Sequence, residues 1–175
     1  MPNEKFILLN EMTRKDILNA ASPEPWQLTM RERIQGYVVN IFDVELDEEN
    51  ERCVVTFRVS HPSRSIHDCR INLKDFWIYW ELYEHNPKKL RNAIHDSIME
   101  GDIYINCSCP SWIYGGYKYM ATQLDYILDG REDRFPKVRN PRLLGTMCKH
   151  LFCAVTFLPN NEMSIVSTIK RKLRV

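Results

Sequence analysis

The chain has 175 residues, 44% hydrophobic and 27% charged, with a formal net charge of +1, which is ordinary for a globular protein able to bury a core and gives no whole-chain signal for a nucleic-acid or membrane partner. No apolar run approaches the ~20 residues that cross a bilayer. The start, Met1-Pro2-Asn3-Glu4-Lys5, lacks the basic region and apolar run of a secretory signal, so the expected location is intracellular, in a host cytoplasm, or in a virion.

A first helix is expected from Asn3, as cap, through about Ala20, with Phe6, Leu9, Ile17 and Leu18 as its apolar face. Ser22-Pro23-Glu24-Pro25 ends it, because proline removes a backbone donor and restricts the residue before it. From Ile34 to Leu46 the pattern becomes strand-like, with Tyr37, Val39, Ile41 and Val44 among β-branched neighbours. Asp47-Glu48-Glu49-Asn50 reads as a hairpin turn, Cys53 to Val59 as the return strand, and His61 to Ser65 as a second turn. Ile66 to Leu73 then completes a meander. Phe76, Trp80 and Tyr83 fall at helical spacing, and Asn86-Pro87 marks the start of a helix that carries Leu90, Ile94 and Ile98 and stops at Gly101. Residues 102–106 alternate as a short strand running into Cys107. The expected class is α+β: a small antiparallel sheet with flanking helices.

Without export, the six cysteines sit in a reducing compartment, where thiols bind metals more often than they form disulfides. Four residues form two spaced pairs: Cys107-Ser108-Cys109 and, 38 residues later, Cys148-Lys149-His150. Zinc takes four such ligands in a tetrahedron, with Zn–S near ~2.3 Å and Zn–N near ~2.0 Å. The first pair leaves a strand, whose alternation puts residues two apart on one face. The second opens the apolar run Leu151 to Leu158, a helix N-terminus that favours thiolate over thiol. Four protein ligands fill the coordination sphere, which points to one structural Zn²⁺ rather than a catalytic ion. The alternative is a set of unrelated buried thiols and a surface histidine. Cys53, Cys69 and Cys153 read as core thiols. His61, His67, His85 and His95 read as surface or locally hydrogen-bonded residues.

The pattern Cys-x-Cys-Pro followed by Cys-Lys-His-Leu, carried here by Ile105 to Trp112 and Gly145 to Leu151, resembles the SWIM-type zinc finger. The ligands correspond residue by residue, and the insert between the pairs is longer than most members carry. That insert, Tyr117-Lys118-Tyr119-Met120-Ala121-Thr122 through Arg139-Asn140-Pro141, is similar to a variant found in tailed-bacteriophage proteins. The resemblance implies a module for DNA or protein contact. The organisation expected is a helical extension (1–30), antiparallel strands plus helices (31–101), a SWIM-like zinc-binding unit (102–158) and a basic C-terminal helix (159–175).

Charge is uneven along the chain: residues 1–100 carry 13 basic and 17 acidic side chains, residues 101–175 carry 11 and 6. The second part is therefore the better place to look for an anionic partner, with a solvated surface as the alternative reading. Within the insert, Trp112, Tyr114, Tyr117 and Tyr119 interleave with Arg131, Arg134, Lys137, Arg139 and Arg142. That pattern can stack bases and hold phosphates. Alternatively the aromatics pad the metal site and the arginines are solvated, with Asp129, Glu132 and Asp133 offsetting part of the charge. Lys170-Arg171-Lys172-Leu173-Arg174 ends a helix, where cations complement the dipole. No phosphate loop, nucleophile elbow or His-Glu-x-x-His helix occurs. The expectation is therefore a non-enzymatic zinc-stabilised assembly module with other protein subunits as partners, and the resemblance of the insert implies a bacteriophage virion or head–tail connector component. The second expectation is a nucleic-acid-binding finger.

Overall fold

The three runs of β-branched and aromatic residues pair as an antiparallel meander, and the alternating segment before Cys107 joins them. β1 (Val38–Asp47), β2 (Arg52–His61), β3 (Arg64–Leu73) and β4 (Ile103–Cys107) lie in the order β1-β2-β3-β4. The structure, a computed structural model, describes residues 12–21, 30 and 32–173. The first turn forms as the sequence predicts: the Asp47 carboxylate accepts the Asn50 N–H at 3.1 Å, and Glu51 takes a positive φ of 51°. Period-two alternation puts Cys53, Val55, Phe57 and Val59 of β2 and Cys69, Ile71 and Leu73 of β3 on one face, all fully buried. Register slips at Phe42, a bulge that leaves its ring exposed under the Arg58 guanidinium, 3.9 Å from the ring centre.

The buried face is covered by helices. α1 spans Arg14–Ala21, α2 Phe76–Leu82, α3 Leu90–Met99, α4 Pro110–Tyr114, α5 Tyr117–Gln123, α6 Lys149–Phe157 and α7 Glu162–Leu173. The fold class is α+β, as the sequence predicts. α6 is the central helix, with His150 to Val155 all buried and contacts to all four strands. α7 lies along β1 and α3, held by Lys172 to Asp43 at 2.8 Å and by Glu162, which accepts from Arg91 at 2.7 Å and pairs with His95 at 2.8 Å. Among the described residues, no helix is long and apolar enough to cross a membrane.

Three boundaries differ from the sequence-based expectation. Residues 3–11 and the Ser22 to Pro25 break lie outside the described residues, as does Arg174, but Met12 and Thr13 are not helical. Thr13 bridges to Asp102 and Ile103 N–H donates to the Met12 carbonyl at 3.1 Å. Thr13 instead caps α1: its hydroxyl accepts the Asp16 N–H at 3.3 Å while Asp16 accepts the Thr13 N–H at 3.2 Å. β1 begins at Val38 rather than Ile34, because Ile34 N–H still bonds the Met30 carbonyl in a helical turn and Gly36, at φ 77°, reverses the chain. α3 begins at Leu90 rather than Asn86, because the Asn86 side chain and carbonyl close a turn over Lys88 and Lys89.

The 38-residue insert is folded, not looped out. Ile105 N–H donates to the Tyr126 carbonyl at 2.9 Å and Leu128 N–H to the Ile105 carbonyl at 3.0 Å, adding a short parallel bridge along β4. The fully buried Tyr126 donates its hydroxyl to the Thr146 carbonyl at 2.9 Å, and Thr146 donates its own to the Ile17 carbonyl at 2.9 Å. The segment leading into Cys148 is thereby fixed between α1 and the insert.

Candidate metal centre

β4 delivers Cys107 on its buried face. At Ser108 the chain turns but stays tied to β3: Ser108 N–H donates to the Asp68 carbonyl and its hydroxyl accepts the Asp68 N–H, both at 3.0 Å. Cys109 is the N-cap of α4, with φ −78° and ψ 148°, and its sulfur accepts the Trp112 N–H at 3.3 Å. Pro110 fits the first turn, where a missing N–H costs nothing. Cys148 caps α6 in the same extended conformation, φ −75° and ψ 164°, and His150 follows in the first turn. Two helix N-termini and one strand end thus converge.

The ligand atoms of Cys107, Cys109, Cys148 and His150 all lie within 4.8 Å of one another, and all four residues are buried. These residues are positioned to bind a metal ion. The donor chemistry fits a borderline-soft cation on three counts. None of the cysteines is in a disulfide. His150 Nδ1 is buried without a hydrogen-bond partner among the described residues, a costly state for a ring nitrogen unless an ion takes its lone pair. The three sulfurs also compete for protons. Hydrogen bonds from Cys107 and Cys148 hold the Cys109 thiol far below its ordinary range, while burial drives Cys148 far above it. Only a cation makes three adjacent thiolates stable together. With a divalent ion the centre would carry one net negative charge.

The surroundings include groups that sequence spacing does not flag. Cys69 faces Cys107 across the β3–β4 ladder, with the sulfurs 3.7 Å apart. Burial pushes the Cys69 thiol up, so it stays protonated and serves as a donor to Cys107. The His67 ring lies 4.4 Å from the His150 ring, centre to centre. Burial and the neighbouring His150 hold its pKa below the usual histidine value, and Ser65 hydrogen-bonds its Nε2 at 2.9 Å. Tyr37 meets His150 edge-on at 5.6 Å and carries the Lys149 ammonium over its face at 5.4 Å. Cys53 and Cys153 are buried thiols, as predicted, and burial raises Cys153 to about 12.

Cys69 and the ligands should separate in a substitution experiment. Cys69→Ala is expected to keep one metal ion per chain, since all four ligand atoms remain, with a modest loss of affinity from the missing donor. Cys107→Ala is expected to lose the ion. Metal titration of both variants, followed by the thiolate-to-metal absorption of the cobalt-substituted protein, checks this. Equal loss in the two would make Cys69 a ligand.

The other predicted contact residues divide. Tyr117, Arg139 and Arg142 line one crevice together. Lys137 lines a shallow groove beside Tyr114, and Arg131 is exposed. Arg134 is engaged by Glu132 through two bonds at 2.9 and 2.7 Å, which hold the Glu132 carboxyl down to about 2. Asp129 is likewise committed, to Arg52 and Arg70 of the sheet. Of the three carboxylates expected to offset the insert arginines, Glu132 therefore does so at Arg134, while Asp129 is used by the sheet. No protein-family model matches the chain, and neither does any curated protein or solved structure.

Proposed function

We propose that Cys107, Cys109, Cys148 and His150 hold one structural zinc ion, and that the chain is a non-enzymatic module of a macromolecular assembly. The observation that carries the zinc reading is the convergence of three buried thiols and an imidazole within 4.8 Å. Bound there, zinc would supply a rigid cross-link between β4, α4 and α6. Zinc is favoured over harder cations by the sulfur donors, and a structural role by the complete set of four protein ligands. The resemblance of Ile105 to Trp112 and Gly145 to Leu151 to SWIM-type fingers supports the same reading, and the resemblance of the insert supports a bacteriophage component such as a head–tail connector. Support for protein partners comes from exposed apolar side chains: Ile78 and Leu82 on α2, 64% and 68% exposed, and Val138 in the insert, 90% exposed.

Elemental analysis of protein purified without added metal or an affinity tag tests the reading. The expected result is one zinc per chain, with Cys107, Cys109 and Cys148 resisting a thiol reagent until a chelator is added. Protein without metal, its three thiols freely reactive, would remove the zinc staple.

A further inference from the structure

We propose that the crevice between α6, the 140–145 turn and the segment before β1 binds the backbone of single-stranded nucleic acid. Two adjoining hollows, of about 370 and 460 Å³, share Met30, Arg33, Ser111 and Tyr117. Among the described residues, together they are lined by four cations, Arg33, Arg139, Arg142 and Lys149, and by one carboxylate, Glu32. None of the three arginines has an ion-pair partner among the described residues, whereas Arg52, Arg58, Arg70, Arg91 and Arg134 all do. Even with a filled metal centre contributing one negative charge, the excess is positive. Unpaired cations held in a concave wall raise the local potential for a polyanion.

The wall is built rather than incidental. The Asn140 side chain clasps Leu144 at both ends, accepting its N–H at 2.9 Å and donating to its carbonyl at 3.0 Å, which closes the turn that carries Arg142. Gly145, at φ 76°, brings the chain so close that a Cβ there would sit 3.4 Å from the Tyr117 ring and 3.0 Å from the Ala21 carbonyl. Gly116, at φ 81°, lets Pro136 close on the start of α5, where a Cβ would meet it at 2.7 Å. These contacts fix the backbone that carries Tyr117, Arg139 and Arg142 before any ligand arrives, and preorganisation lowers the ordering cost of binding.

Unpaired strands fit better than duplex. Arg139 lines both this crevice and the neighbouring shallow groove of Tyr114, Pro136, Lys137 and Val138, where Tyr114 is 61% exposed. Phosphates along Lys149, Arg33, Arg142 and Arg139 would leave bases free to stack on Tyr114, the combination by which single strands are held without sequence preference. A duplex is too wide to enter a hollow of a few hundred Å³. The inference goes beyond the zinc reading and needs only the fold.

Fluorescence anisotropy of labelled oligothymidine and oligouridine against the full chain tests it, with zinc content and melting measured on the same samples. Arg33→Glu/Arg142→Glu is compared with the charge-matched control Lys88→Glu/Arg131→Glu, two exposed cations outside the crevice. The expected result is single-strand binding whose log–log salt slope is near ~−3, from about 0.7 per phosphate over four cations. The crevice variant should weaken binding about ten-fold or more with unchanged melting, and the control should leave the crevice-dependent binding in place. Absent binding at low salt, equal loss in both variants, tighter binding of the matching duplex, or displacement of the oligonucleotide by an equal concentration of oligoglutamate would each overturn the proposal. Protein that binds through the crevice while holding no zinc would overturn the metal reading and leave this one standing.

Discussion

Cys148→Ser should abolish stoichiometric zinc binding and remove the cooperative unfolding transition of the whole chain, not of residues 102–158 alone. The substitution takes a thiolate from a centre that needs its ligands deprotonated and geometrically complete. Structural zinc sites contribute roughly 10–16 kcal/mol when ligand binding and folding are coupled. A domain's net stability is on the order of 5–15 kcal/mol, so the loss is comparable to all of it. The position of Cys148 decides how far the damage spreads. It caps α6, whose buried residues His150 to Val155 touch all four strands. The opposite ligand, Cys107, ends β4 in register with Cys69 of β3. Releasing the ion therefore loosens the helix that covers the sheet and the strand that closes its edge. A chelator added to the unaltered protein should give the same far-UV spectrum and the same loss of transition. Lowering the pH works in the same direction: protons compete with the ion for the thiolates, so affinity is retained at neutral pH and falls as acid is added. An unchanged melting curve for Cys148→Ser would sink the structural-metal reading outright.

The two pairs that converge on the candidate metal centre were legible because each is local chemistry: a cysteine two residues from its partner at a strand end, and a cysteine and histidine at a helix start. The meander was legible for a similar reason, since period-two runs separated by Asp47 to Asn50 and His61 to Ser65 leave few other arrangements. What lay hidden is set by register and long-range contact. Nothing near Cys69 in the sequence announces that it will stand beside Cys107; only the β3–β4 alignment brings the two sulfurs to 3.7 Å. The same holds for His67 against His150 and for Arg33 beside Arg142, residues far apart in the chain. The start of α1 was missed although Thr13-x-x-Asp16 carries the capping signal, because the apolar positions at Phe6 and Leu9 suggest a longer helix. The insert arginines were read as one group; their separation into Arg134, which is paired, and Arg139 and Arg142, which have no ion-pair partner among the described residues, depends on where Glu132 and Asp129 fold, which composition cannot supply.

Trp112→Ala should destabilise the chain by about 3–5 kcal/mol yet leave one zinc per chain when the metal is saturating. Trp112 is among the largest fully buried side chains, and it sits on α4 three residues after Cys109, whose sulfur accepts its backbone N–H. That N–H survives the substitution, as do all four ligands, so the chemistry of the centre is retained while its packing is not. Truncation leaves a cavity the size of an indole, and the cost depends on how far α4 collapses into it. For a domain of this size each kcal/mol shifts the midpoint by about 2–4 °C, so a fall of roughly 10 °C is expected. Zinc affinity should fall too, because an ion that binds only the folded state inherits the lost folding energy. Trp112→Phe fills most of the space and should cost less than half as much. Scanning calorimetry with zinc content measured on the same samples separates the two substitutions. Trp112→Ala should melt early but remain metal-loaded, whereas Cys148→Ser should lose both properties. Metal loss in Trp112→Ala at saturating zinc would mean that α4 packing, rather than the four donors, sets occupancy.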